Sequence, residues 1–354
     1  MKINKKLMPL AIAVMVGQTG LAGGLAYAET NAPATTTLEA ELQDPAKQGI
    51  YRKEAEKLLL CEELSDPKAK AAAFAKLAPM KWDRKQMGCG VRYGFELAQA
   101  QPDNIELQLQ ALGALIEYFD VLDKSYSRLY SASPVMDIEL SRRWTDTRNQ
   151  SKALLAGVEQ LSGQIAEVVA LRGLYTLFSL QHEATEKEKI ASPSMALPDL
   201  EGAVKMKPGV LDGGGLLALG TVLLTLPEFA GGDLERGIAL LDQGSELSPQ
   251  NLQIKTALID AEISERNQPK ALAVLKDAAN ISEQGQNEQD YADELRKLSG
   301  QAVRLEQTEL AKQLQTRREL FLAAHPYLNK RLSTATAGHG GVDPFTGQDP
   351  ENIQ

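Results

Sequence analysis

Histidine is nearly missing from this chain, with three in 354 residues. His182 sits at a helix end among charged residues, His325 precedes Pro326, and His339 lies near the C-terminus. None has metal-ligand spacing and none accompanies a nucleophile motif. The expectation is therefore no metal, no cofactor and no enzyme chemistry. Aromatics are scarce too, at 5%. No apolar run approaches the roughly 20 residues that cross a bilayer as a helix. Positive charge is in deficit: without the three lysines of residues 1–28, 35 basic residues face 47 acidic ones, a net −12. That balance excludes the basic footprint nucleic acid requires. It disfavours an anionic membrane surface equally.

What is present begins with an export signal over residues 1–28. Lys2, Lys5 and Lys6 form a basic head, Leu7 to Val16 an apolar middle, and Ala26-Tyr27-Ala28 a cleavage site. Cleavage after Ala28 would release the chain into the periplasm. Leu21-Ala22-Gly23-Gly24 resembles a lipoprotein processing site, but Gly24 stands where the lipid-accepting cysteine would be, so no lipid anchor is expected. In an oxidising compartment the only two cysteines, Cys61 and Cys89, read first as a disulfide. Such a loop closure is worth roughly 3 kcal/mol. A metal pair and two free thiols are the alternatives, and no histidine lies near either cysteine in sequence.

The Ala-, Leu-, Glu-, Gln- and Lys-rich composition is that of a helical protein. A flexible leader is expected over 29–46, one helical domain over 47–331, and a disordered tail over 332–354. Helical periodicity runs through Ile50–Leu60, from Pro67, Val91–Ala100 and Ile105–Leu122, the last with Leu107, Leu112, Leu115, Ile116 and Phe119 on one face. Asp137–Asn149 reads as a polar helix anchored by Trp144. Gln150–His182 reads as a long one broken near Gly163 or Gly173. The charged, then Ser/Pro-rich segment Glu183–Pro198 reads as a linker. Five short helices follow from Leu200 to Ala279, with Asp233 and Asn251 as N-caps. Glu288–Ala324 reads as one long charged helix or two in line.

Repetition organises this pattern. With Pro249 closing a tetratricopeptide-like unit, Gly237, Leu241 and Gly244 supply the small–bulky–small positions of its second helix. Leu219-Gly220 falls on the first helix once the insertion PEFAGG is allowed. Ile254 and Ala261, then Ala271, Leu275 and Ala278, give a second unit. A shift of 147 residues aligns Pro102 with Pro249, Asn104 with Asn251, Leu112 with Ile259 and Ala114 with Ala261. The fold expected is all-α, degenerate tetratricopeptide-like hairpins stacked in a right-handed superhelix.

The segment from Leu200 to Glu262 resembles the T component of tripartite ATP-independent periplasmic (TRAP) transporters, the TatT-like proteins. The resemblance is carried by Gly213 to Gly215, Ala218-Leu219-Gly220, Pro227, Gly231-Gly232-Asp233 and Ser248-Pro249. Tyr93-Gly94 and Pro102-Asp103-Asn104 extend it toward the N-terminus. It implies degenerate helical hairpins, a ligand-accessible cleft, self-association, and partnership with a periplasmic solute-binding protein. Gly24 departs from the lipid anchor frequent in that family, and the chain from Glu288 onward has no counterpart in it.

For sites, Gly231, Gly232 and Asp233 read as a turn and helix cap, with no Lys-Ser/Thr to make a phosphate loop. Asp212-Gly213-Gly214-Gly215 reads as a similar loop into a helix. Tyr118, Tyr175 and Phe229 are candidates to line a groove for a small apolar ligand, with ordinary core packing as the competing account. Binding and hand-over to a partner, or an envelope protein-interaction scaffold, are the functions the sequence points to.

Overall fold

The computed structural model describes residues 45–77, 83–127, 134–180 and 186–328. The expected export signal, most of the expected leader, the expected tail from 332, His182 and His339 lie outside the described residues. Within them are thirteen α-helices, one 3-10 turn and no strand. The helices are α1 Pro45–Leu59, α2 Pro67–Ala75, α3 Arg84–Ala100, α4 Ile105–Ser127, α5 Pro134–Ser162, α6 Ala166–Ser179 and α7 Glu186–Met206. Then follow α8 Gly214–Thr225, α9 Leu234–Leu247, α10 Leu252–Ser264, α11 Gln268–Ala279, α12 Glu288–Arg304 and α13 Thr308–Ala324.

Helices neighbouring in sequence pack on one another through most of the chain. From α8 onward the pattern is that of stacked hairpins. α8 pairs with α9, α10 with α11 and α12 with α13, while α8 also touches α10 and α10 touches α12. Helix α10 is apolar on two sides and joins two cores. Ile254, Leu258 and Ala261 belong to the one that reaches back to Met87. Leu252 and Ile259 belong to the one that runs on to Phe321. Each hairpin thus buries its faces on its neighbours, as repeat proteins do.

The small positions are explained by a close helix crossing. A Cβ on Gly220 of α8 would stand 3.0 Å from the Gly237 carbonyl oxygen of α9, and one on Gly237 would stand 2.9 Å from that of Gly220. Leu241 and Gly244 are buried beside it, as are Ala271, Leu275 and Ala278 one hairpin on. Asp233 Oδ1 caps α9 through the Arg236 amide, and Asn251 Oδ1 caps α10 through Gln253 and Ile254.

Three segments depart from expectation. Asp137–Asn149 and Gln150 onward form one helix, α5, ended where Gly163 takes φ +62°. The expected linker is helical: α7 runs through Pro193 and Pro198. Its Ser192, Ala196, Leu200 and Ala203 are fully buried at helical spacing, so packing against α6 outweighs the missing proline donors. Finally, Glu288–Ala324 is a hairpin and not a single rod. Its turn repeats that of the preceding hairpin bond for bond. Asn267 N reaches Glu262 O and Gln307 N reaches Ala302 O, both at 2.8 Å, while Arg266 and Glu306 take φ +61° and +60°.

Those two left-handed residues carry side chains where glycine is preferred, a conformation that costs roughly 1–2 kcal/mol. Arg266→Gly and Glu306→Gly are each expected to stabilise the protein by about 0.5–1 kcal/mol, net of glycine's larger unfolded-state entropy. A rise in urea midpoint at unchanged slope is the readout. A fall in either variant would mean that the exposed side chain contributes more than the turn is strained.

Candidate functional site

Among the described residues, three junctions open on an asparagine whose side chain caps the next helix, and these are built alike. Asn104, Asn251 and Asn287 accept from backbone amides of α4, α10 and α12. Four residues after each cap stands a buried side chain that reaches back to the end of the preceding helix. Gln108 Nε2 donates to the carbonyls of Ala98 (2.5 Å) and Gln101 (3.3 Å). Lys255 Nζ donates to Ser245 Oγ at 3.2 Å. Tyr291 Oη donates to Ile281 O at 3.5 Å. In every case one receiving residue lies six before the cap. The sequence carries this as Asn followed four residues later by Gln, Lys or Tyr, chemically too varied to stand out.

What differs is the space above that side chain. At the middle junction Lys255 also meets the Asp277 carboxylate of α11. Lys270 of α11 spans Asp242 of α9 at 3.2 Å and buried Glu262 at 2.9 Å. Ion pairs therefore tie α9 to α11.

At the last junction a groove of about 550 Å³ runs along α13. Tyr291, Phe321 and the exposed Leu320 form its apolar part, with Glu283, Glu309 and Lys312 around it. Arg317 crosses one end, donating to the carbonyls of Ala279 (2.7 Å) and Ile281, with its guanidinium 5.4 Å from the Tyr291 ring. Burial pushes the Tyr291 phenol up, against the opposing pull of Arg317. His325 stacks on Phe321 with ring centres 4.2 Å apart, and its Nε2 lies 3.8 Å from Glu288.

At the first junction a groove of about 500 Å³ opens between α3 and α5 over Gln108. Phe95, Leu154 and Leu161 supply its apolar surface, and Gln99 and Gln160 stand beside Gln108. None of the described residues lining it is ionisable.

The aromatic groove expected from sequence does not form. Tyr118 is 2% exposed and spent on core hydrogen bonds, donating to Arg84 O (2.7 Å) and accepting from Arg143 Nη1 (3.1 Å). Tyr175 packs near Phe119, centroids 6.4 Å apart. Phe229 projects from the 3-10 turn at 93% exposure, against nothing. Helical neighbours point about 100° apart, and Phe119 took one core while Tyr118 was drawn into a polar cluster behind it. Gly232 next to that turn leaves no room for a side chain, a Cβ there being 1.8 Å from Leu226 O.

That polar cluster is a second built feature. Arg143 and Glu139 of α5 are 5% and 1% exposed and paired at 2.9 Å. Arg84 bonds the other Glu139 oxygen at 3.1 Å. Arg143 Nη2 donates to Leu58 O at 2.7 Å, Tyr93 Oη donates to Glu62 O at 2.5 Å, and Cys61 is disulfide-bonded to Cys89 between them. Burial alone would raise the Glu139 carboxyl, but Arg84 and Arg143 outweigh it and hold it below the usual carboxylate range. Burial pushes the Tyr118 phenol up to about 12. Sequence pointed to Trp144 as an anchor but passed over the Glu139–Arg143 pair one turn away, which looks like any solvent-facing i,i+4 pair.

Among the described residues no cluster of His, Cys, Asp and Glu is placed to hold a metal ion, and no helix is long and apolar enough to cross a membrane. Compared with known proteins, the chain matches no family model and no curated protein.

Proposed function

We propose that this chain is an exported periplasmic helical-repeat protein that acts by non-covalent binding of a partner polypeptide, as the accessory protein of a TRAP-type solute-uptake system. The observation that carries the reading is the set of three asparagine-capped helix junctions, two of them between stacked hairpins. They share one scaffold, yet one carries an uncharged groove, one a charge-rimmed groove, and the third is bridged by ion pairs. Stacked hairpins characteristically bind through extended surfaces, varying side chains on a constant frame. The disulfide is in keeping with an oxidising compartment. The Gly220–Gly237 crossing lies within the stretch that resembles the TatT-like proteins, and a periplasmic solute-binding protein is the partner this resemblance names.

A second reading, a scaffold for another envelope protein, is favoured by Phe229. An aromatic ring 93% exposed on a hydrogen-bonded turn is a pre-ordered anchor for a partner's pocket. A photo-crosslinking residue at position 229 and another at 320, in cells of the native host, tests both. A crosslink to a solute-binding protein is the expected result, and one to a different envelope protein selects the scaffold. Absence of any protein crosslink from either position, with native mass spectrometry showing a bound small molecule instead, overturns both.

A further inference from the structure

We infer that the groove between α3 and α5 is a recognition site for an uncharged segment of polypeptide. This rests on the binding function proposed above and adds the site and its chemistry.

Charge complementarity is the first argument. Charged residues make up 24% of the chain, and the other two equivalent junctions are lined or bridged by them. Here the same position is surrounded by Phe95, Leu154, Leu161 and glutamines. A charged group entering such a groove would lose hydration with no opposite charge to replace it. A peptide backbone would not, because glutamine amides both donate and accept, as peptide groups require. Gln108 is 4% exposed and its amide N–H groups are spent on two backbone carbonyls, so it forms a fixed floor. The exposed Gln99 and Gln160 on the groove wall are the amides that can both donate to and accept from an incoming backbone.

Gly157 is the second argument. It lies inside α5, where glycine is destabilising by about 1 kcal/mol relative to alanine. None of the described residues requires it: a Cβ there meets no atom within 4 Å, as at Gly49 in α1 and Gly300 in α12, but of the three it is Gly157 that lines one of the two grooves. Its neighbour one turn earlier on the groove wall is Ala153. Together they leave the α5 backbone open to close approach from outside, the use that glycine serves where another chain must come near.

Leu161 is 43% exposed at the groove's edge, and the volume of about 500 Å³ falls in the range of ligand sites. It suits a few side chains of a docked strand or helix better than a whole domain.

Gly157→Leu is the informative substitution, since it fills the groove from open space and raises helix propensity. The variant should fold with equal or higher stability. A random 12-residue peptide library displayed on phage is selected on the full mature protein and counter-screened on Gly157→Leu. Expected are uncharged sequences with apolar residues whose binding falls at least tenfold on Gly157→Leu and on Phe95→Ala. Sequences bearing an acidic or basic residue at their core positions would overturn the inference. Peptides that bind Gly157→Leu undiminished overturn this site but leave partner binding standing. Recovery of no peptide, with native mass spectrometry showing a small neutral molecule that Gly157→Leu loses, overturns the polypeptide ligand. Recovery of neither overturns the site, and the proposed function then stands or falls separately on the crosslinks from positions 229 and 320.

Discussion

Arg143→Ala is expected to destabilise the protein by about 3–5 kcal/mol, a large part of the 5–15 kcal/mol typical of a folded domain. The guanidinium is 5% exposed and makes three kinds of contact: Glu139, the Tyr118 oxygen and the Leu58 carbonyl. Truncation removes all three and leaves a carboxylate that is 1% exposed with Arg84 as its remaining paired cation in the cluster. The loss is mainly that of leaving buried polar groups without partners, not that of an ion pair as such. Replacing both charges together, Glu139→Leu with Arg143→Met, is therefore expected to cost markedly less than the single truncation. Urea unfolding at pH 7 separates the cases. If Arg143→Ala shifts stability by less than about 1 kcal/mol, the pair behaves as a surface pair and the buried-cluster account fails.

The same cluster gives a pH dependence of known sign. Because the Glu139 carboxyl is held below its ordinary value, its contribution is fully present above the unfolded glutamate range, near pKa 4.3. It is lost as the pH falls below that range, where the unfolded state binds the proton first. Glu139→Gln should be less stable at neutral pH and show a shallower decline on acidification. An unchanged slope would place the acid sensitivity elsewhere.

How much of this could be read before the structure follows a physical division. Positions where the backbone itself demands a residue type were legible. Gly237 and Gly244 had to be small because α8 and α10 press on them, and Asp233 and Asn251 had to be short oxygen-bearing caps. The Cys61–Cys89 bond was expected from parity and from the export signal read in the sequence. Where tertiary packing overrides local preference, sequence misled. Pro193 and Pro198 argue for a break that the buried stripe of α7 overrules. The turn at Leu305-Glu306-Gln307 contains neither glycine nor proline, so the last hairpin looked like a rod. The grooves were the least legible, because they are made by residues far apart in sequence: Phe95, Gln108 and Leu154 meet only through the packing of three helices. Tyr118 was misplaced for the same reason, since its partner Arg143 comes from another helix.

Cutting the disulfide by Cys61→Ser with Cys89→Ser is expected to cost about 3–4 kcal/mol, the chain-entropy value for a loop with a sequence separation of 28. The more telling result is its coupling to Arg143. Residues 58–62 are fastened by three independent means: the disulfide, Tyr93 on Glu62 and Arg143 on Leu58. If they act as one clamp, loss of the covalent tether lets the α1–α2 segment loosen, and the Leu58 contact of Arg143 is already weakened before Arg143 is removed. The two changes should then sum to less than their separate effects, by about 1 kcal/mol or more, as contacts sharing one element do. Hydrogen exchange in the disulfide-free variant should rise first at residues 58–66 and in α2, while amides of α11 to α13, whose buried residues belong to the other core, stay protected. Strict additivity with uniform loss of protection would mean that the three fastenings act on the global unfolding transition alone. The clamp would then have no separate existence as a local unit.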